Sequence, residues 1–228
     1  MLSIIGTPIG NLSDLSLRQA QTILSCDILL AEDTRKAEII LTASEQMLGA
    51  SRSDQLVLVS YYKEKELEKL PFILESLRDG KQVGLVTDAG MPTISDPGSL
   101  LISHCRQEEL PYTVIPGPSS ITTALALSGV NAHSWTFVGF LPKKENDVKR
   151  AIKQMVDTGK LWKKHAFVLF ESPERCNETL RIFAEVAPTC KIAVCREMTK
   201  KFEEVLSGTP AELMQKELRG EVVLVLQF

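Results

Sequence analysis

LSIIGTPIGNLSDLSLRQAQTILSCDILLA, residues 2–31, is the stretch on which the fold class turns. A short apolar run at 2–6 passes through a loop containing glycine and proline into a segment of helical period at 13–25. A second apolar run follows at 27–31. Apolar runs too short for helices, on either side of an amphipathic segment, read as strand, helix, strand, and that unit implies a mainly parallel sheet. The alternation continues outward with strand-like 55–61, helix-like 64–79, strand-like 82–87, helix-like 97–107 and strand-like 112–115. Pro116-Gly117-Pro118 then breaks the rhythm, because two prolines fix φ and remove donors around a permissive glycine. A first lobe is expected to end there, at 1–117.

The second lobe, 118–228, opens with a helix at 119–128 that stops at Gly129, followed by strand-like 135–141, 166–171, 191–196, 203–207 and 221–227. The step from Arg196 to Glu203 is too short for a crossover helix, so part of this sheet must be antiparallel. The expected fold class is α/β, with a mainly parallel first sheet and a mixed second one. No internal repeat or low-complexity tract interrupts it.

Among 228 residues, 44% are hydrophobic and 24% charged, the composition of a globular protein rather than a disordered or fibrous one. A net charge of −3 excludes an overall electrostatic footprint for nucleic acid and leaves only a local patch. The five cysteines, Cys26, Cys105, Cys176, Cys190 and Cys195, are odd in number and form no C-x-x-C pair. They read as buried apolar residues in a reducing compartment. His104, His133 and His165 have no metal-ligand spacing, so no metal is expected. The N-terminus has no basic segment ahead of its apolar residues, and no apolar stretch approaches the ~20 residues of a membrane span. A cytoplasmic protein is expected, with no membrane partner.

Three loops at strand ends carry the candidate chemistry, since open parallel sheets bind ligands beyond the carboxyl ends of their strands. Gly6-Thr7-Pro8-Ile9-Gly10-Asn11 precedes a helix expected to be capped by Ser13 or Asp14. It lacks the G-x-G-x-x-G spacing of a dinucleotide loop and holds a proline where an amide would be needed, although Glu32 and Asp33 fall about where a ribose-binding acid would. In the second loop, 87–98, the Asp88 carboxylate suits ribose hydroxyls or an amine, and Ala89 and Gly90 permit close backbone approach. Asp96-Pro97-Gly98 reads as a helix cap. In the third, Ser119 and Ser120 serve either as caps or as ligand contacts.

In the second lobe, Glu171, Glu174 and Arg175 leave one strand, and Arg196, Glu197 and Lys200 leave the next. Such charges are rarely buried unpaired, so they form either the floor of a polar cleft or a structural ion-pair network. Lys143, Lys144, Lys149, Arg150, Lys153, Lys160, Lys163 and Lys164 form either a solvated helix face or a patch for an RNA backbone.

Taken in order, TPIGNLSDLSLRQA, AEDTRKAEIIL, VGLVTDAGMPTISDPG, IPGPSSITTALALSGV, FVGFLPKK, FESPERCNETL and REMTKKFEEVLSGTPAEL resemble the tetrapyrrole methylase superfamily. The resemblance is strongest to its branch of 16S ribosomal RNA cytidine 2′-O-ribose methyltransferases, and it covers nearly the whole chain. It implies two αβα lobes, S-adenosylmethionine in a cleft between them, and a homodimer acting on the small ribosomal subunit. Carried onto this chain, the cofactor loops fall on Pro8, on Asp88, Ala89, Gly90, Thr93 and Ile94, and on Ser119 and Ser120, with Phe170 and Met198 closing the pocket. The resemblance assigns no catalytic base. Two departures bear on RNA binding. Many members continue for several dozen residues past the strand matching 220–228, and their histidine-rich segment after the third strand is replaced here by 61–66.

The expected reaction is methyl transfer to a ribose hydroxyl, a weak nucleophile helped by a base within hydrogen-bond reach. Glu32, Glu171 and Glu197 are the candidate bases, and Arg18, Arg35 and Arg175 the candidate phosphate or ribose positioners. Methylation of a corrin or porphyrin precursor is the rival within the superfamily. A module that binds cofactor or ribosome without catalysis is the rival outside it.

Overall fold

The computed structural model describes every residue except 217 and divides the chain into two compact units, Met1–Ser119 and Ser120–Phe228. In the first, β1 (Leu2–Ile5), α1 (Leu17–Leu24), β2 (Ile28–Ala31), α2 (Thr34–Leu48), β3 (Val57–Ser60), α3 (Glu66–Arg78), β4 (Val83–Val86), α4 (Ser99–Gln107) and β5 (Tyr112–Ile115) alternate. The strands form one sheet in the order β3-β2-β4-β1-β5, and every pairing is parallel.

The apolar runs are continuous because both sheet faces are covered. Leu2, Ile4, Ile28, Leu30, Val83 and Leu85 pack with Leu70, Ile73, Leu77, Leu101 and Cys105 of α3 and α4. Ile5, Leu29, Ala31 and Val86 pack with Ala20, Ile23, Ala37, Ile40 and Leu41 of α1 and α2. Each Leu or Ile buried this way contributes about 1.5–3 kcal/mol.

Two helix starts differ from the sequence reading. Asn11, accepting from the Ser13 amide, caps a 3-10 turn at Leu12–Asp14, and Ser16 with Gln19 forms the capping box of α1, so neither Ser13 nor Asp14 caps it. Likewise α4 begins at Ser99, not at Pro97. Gly98 precedes it at φ 122°, and its amide donates to Glu66 Oε1 at 2.8 Å, a cap delivered from another helix.

The second unit contains α5 (Ser120–Leu127), β6 (Ser134–Phe140), α6 (Glu145–Leu161), β7 (His165–Glu171), α7 (Pro173–Val186), β8 (Lys191–Arg196), β9 (Glu204–Gly208), α8 (Pro210–Leu213) and β10 (Val222–Gln227). Its sheet runs β6-β7-β10-β8-β9 and is mixed, parallel between β6 and β7 and antiparallel elsewhere. Phe167, Leu169, Ile192, Val194, Leu224 and Leu226 form the core with Ile152, Met155, Leu180 and Phe183 of α6 and α7. All five cysteines are free and buried. His165 is satisfied inside the fold, 2.7 Å from Ser134 Oγ and 2.9 Å from Thr136 Oγ1. Among the described residues no helix is long and apolar enough to cross a membrane, and no acid, cysteine and histidine cluster suits a metal.

Candidate active site

In the first unit β1 lies beside β4, while the helices that follow them, α1 and α4, cover opposite faces of the sheet. Adjacent strands whose connections leave in opposite directions open a crevice at their carboxyl ends. The loops after β1, β4 and β5 emerge there side by side and are tied to one another. Thr7 and Gly90 exchange backbone hydrogen bonds of 2.8 and 3.1 Å, and the Gly6 amide donates to Ile115 O at 3.0 Å. Gln19 Nε2 donates to Gly6 O at 2.5 Å. A Cβ on Gly6 would lie 2.7 Å from Gly117 N, so these two loops touch backbone to backbone.

The loop after β4 is strained. Thr93 (φ 73°), Ser95 (φ 69°) and Gly90 (φ 80°) all hold left-handed backbone, which a β-branched residue adopts only when its surroundings impose it. Thr87 Oγ1 is buried with no hydrogen-bond partner among the described residues. Such an atom is costly unless something else satisfies it.

Asp88 accepts from Lys36 Nζ at 2.6 Å and from the Asp33 amide at 3.2 Å. Burial first, and then the Asp88 charge, raise Glu32 above the ordinary carboxylate range. Burial, followed by the charges of Glu32 and Asp88, pushes Asp96 up to about 6. Asp96 thus joins an acidic group at the strand ends rather than capping α4. Sequence reasoning missed both Asp96 and Lys36, because a D-P-G string is the ordinary start of a helix and a lysine in α2 is ordinary surface.

Of the residues carried over from the resemblance, Pro8, Asp88, Ala89, Gly90, Thr93, Ile94 and Ser119 fall on these three loops, and Ser120 opens α5 of the second unit. Pro8 and Gly90 are buried and Ile94 is exposed. Arg18 and Arg35 are exposed on α1 and α2, and Arg35 is bonded in bidentate fashion to Asp33 at 3.0 and 2.7 Å.

In the second unit Glu171 and Arg196 both pair with Val222 from either side, so the ends of β7 and β8 share one sheet edge. Phe170 sits edge-on to Phe137 and Phe140, at 4.8 and 5.6 Å. The Glu171 side chain is 1% exposed, with Arg175 Nε 3.7 Å away. Its oxygens accept from the Ser172 amide at 2.9 Å and from Thr179 Oγ1 at 2.6 Å. Arg175 Nη2 donates to Leu141 O and Pro142 O at 3.2 and 2.8 Å. This is the structural network of the two sequence alternatives: the acid anchors the first turns of α7, and the arginine holds the segment after β6.

Glu197 accepts from the Glu221 amide and from Lys200 Nζ, at 2.9 and 3.0 Å, and the first of these bonds leads the lowering of its pKa. Met198 beside it is buried. In the basic segment Lys149 pairs with Glu145 and Glu185, and Arg150 with Asp147. Lys143, Lys144, Lys153, Lys163 and Lys164 are exposed and have no ion pair among the described residues.

Residues 1–214 match the family model "Tetrapyrrole (Corrin/Porphyrin) Methylases". A "Ribosomal RNA small subunit methyltransferase I" of Hydrogenobaculum is 36% identical over 99% of this chain and 94% of its own. A protein of the same name from Thermotoga maritima is 36% identical over 99% and 97%. The crystal structure of the methyltransferase CobJ superposes with a TM-score of 0.72 over 99% of this chain and 93% of that one, at 14% identity, which speaks for the fold alone. With the family model spanning both units and full-length relatives above 30% identity, the chain belongs to the tetrapyrrole methylase family, whose members are S-adenosylmethionine-dependent methyltransferases.

Proposed function

We propose that this methyltransferase acts on a ribose 2′-hydroxyl of small-subunit ribosomal RNA, a cytidine by the sequence resemblance. The observation that carries the acceptor is the likeness, along the whole chain, to proteins named for that RNA. The small subunit is then its partner, the cytoplasm its place and a homodimer its assembly. Sedimentation showing only a 25.3 kDa species at micromolar concentration would refute the last of these.

The first unit fits the cofactor. Ala89 and Gly90 keep side-chain bulk small at the end of β4, the contact of Gly6 with Gly117 holds the neighbouring loops in place, and the buried Thr87 hydroxyl lacks a partner among the described residues. Pro8, Asp88, Ala89, Gly90, Thr93, Ile94 and Ser119 of this unit would hold it; Ser120, Phe170 and Met198 are cofactor residues by the sequence resemblance alone. Bound there, S-adenosylmethionine supplies a methyl carbon already activated as a sulfonium. The 87–98 loop, held by its ties to the loop after β1, would orient a bound cofactor, and such positioning is what an in-line displacement requires.

Glu32 takes the hydroxyl proton. Its carboxylate is only partly buried, and burial followed by the Asp88 charge raises its pKa, which favours proton capture. Glu171 is occupied by its bonds to Ser172 and Thr179, and Glu197 is weakened as a base by its bonds to Glu221 and Lys200. Arg18 and Arg35, exposed on the helices after β1 and β2, are the phosphate positioners of this reading, Arg35 giving up its bonds to Asp33 to serve. Arg175 is spent on two carbonyls of its own chain.

The test is transfer of labelled methyl from S-adenosylmethionine to small subunits, to free RNA and to a tetrapyrrole. Label in the subunits is expected. Label in the tetrapyrrole alone gives the function to the rival acceptor, and cofactor binding without transfer gives it to a non-catalytic module.

A further inference from the structure

Segment 197–203, between β8 and β9, is built with care and ends on an exposed ring. Glu197 (φ 49°) and Thr199 (φ 66°) both hold left-handed backbone. The turn is held by the Glu197 amide to Glu221 O at 3.0 Å, the Thr199 amide to Glu203 Oε2 at 2.6 Å, and Lys200 Nζ to Glu221 Oε2 at 2.9 Å. Thr199 Oγ1 is buried without a partner among the described residues. Strain and an orphaned hydroxyl in so heavily bonded a turn point to a use other than stability. Its product is Phe202, 65% exposed.

Phe202 lines a cleft of about 380 Å³ with Arg196, Glu197, Arg219 and Gly220, a volume in the range that takes small ligands. Gly220 holds a φ of 82° that other residues rarely adopt, and a Cβ there would also push the Glu197 side chain off its bond to the Glu221 amide. The Arg196 guanidinium donates from Nε to Glu204 Oε2 at 2.6 Å and from Nη1 to Arg219 O at 2.9 Å, and its Nη2 makes no bond among the described residues. Lys201 Nζ stands 5.6 Å from the centre of the Phe202 ring. The nearby carboxylates of Glu197, Glu203, Glu204 and Glu221 are each bonded to a donor of their own chain. What the cleft offers a visitor is therefore an aromatic face flanked by cations.

We propose that this cleft is a single-nucleotide subsite for the RNA acceptor, with a base stacked on Phe202 and a phosphate taken by the Arg196 guanidinium through Nη2. The proposal rests on the ribosomal RNA reading above. An exposed ring beside planar guanidinium groups is how single-stranded nucleotides are held, because every base has a π face and the guanidinium matches a phosphate in geometry. Acids and bases nearly cancel around the cleft, so affinity there comes from stacking more than from long-range attraction.

Steady-state transfer to small subunits tests it with the wild type, Phe202→Ala and Phe202→Trp, alongside calorimetry of cofactor binding and sedimentation of each protein. Phe202→Ala is expected to raise KM for subunits about 10-fold, with kcat and cofactor affinity within about twofold, and Phe202→Trp to restore KM. An unchanged KM in Phe202→Ala overturns the subsite and leaves the acceptor reading intact. A joint fall in kcat and cofactor affinity makes the ring structural, and a changed sedimentation coefficient makes it a protein contact; either also overturns the proposal. Failure of the wild type itself to methylate subunits is a separate result, which removes the acceptor reading and the subsite with it.

Discussion

At the strand ends of the first unit Asp96 stands in the field of Glu32 and Asp88, Glu32 in that of Asp88, and Lys36 is bonded to Asp88. Asp96 feels this arrangement as a cost of ionising, which lifts it from 3.8 to about 6. A carboxyl whose folded-state pKa is raised contributes stability that is fully present below its unfolded value and is lost as pH rises through the folded one. Asp96→Asn should therefore match the wild type in thermal unfolding near about pH 4 and exceed it above about pH 6. An Asn variant less stable at high pH would show that the ionised Asp96 has a compensating partner. Glu32→Gln should lower methyl transfer by roughly 10²- to 10⁴-fold with cofactor affinity within about threefold. Glu171→Gln should instead destabilise the fold by about 1–3 kcal/mol, since one amide group would face the donors Ser172 N–H or Thr179 O–H that the carboxylate now satisfies. Denaturant titration and single-turnover transfer on both variants separate the two roles. The sequence showed which acids stand at strand ends but not which way they turn. Asp96 is not the cap of α4 for that reason, and of the two readings open for Glu171 the side chain takes the one turned into the fold.

The elements were legible wherever one pattern dominates. Runs such as 83–86 and 222–227 are apolar throughout because both sides of the strand are buried, and the short 197–203 step forces β8 and β9 antiparallel. Helix starts were less legible, since they depend on single hydrogen bonds. The cap of α4 comes from Glu66, which is remote in sequence, and no local pattern announces it. Helix α2, begun by Asp33 accepting from the Arg35 amide, lies between two strands that are clearer in the sequence than the helix itself. The joint between the loops after β1 and β5 is the element-scale feature most exposed to test. Gly6→Ala places a methyl 2.7 Å from Gly117 N and 2.8 Å from its Cα, so backbone must move. A loss of about 1–3 kcal/mol in denaturant unfolding is expected, together with weaker cofactor binding. Unchanged binding would mean that this joint does not shape the cofactor loops.

At the scale of the whole molecule, two α/β units and a string of family motifs were readable from one sequence because the motifs lie on the strand-end loops, where a parallel fold concentrates function. The acceptor is less readable, since a net charge of −3 shows no broad surface for RNA and recognition must rest on local groups. A chain of this charge should methylate an assembled or nearly assembled small subunit faster than naked RNA. Equal rates on free oligonucleotides would contradict that. The central claim, methyl transfer to a ribose hydroxyl, is tested most directly by where the label resides. Small subunits methylated with labelled S-adenosylmethionine are digested in alkali, which cleaves RNA only where a free 2′-hydroxyl attacks the neighbouring phosphate. The account predicts label in an alkali-resistant dinucleotide that yields 2′-O-methylcytidine on complete digestion; label recovered in mononucleotides, as a methylated base, would contradict it.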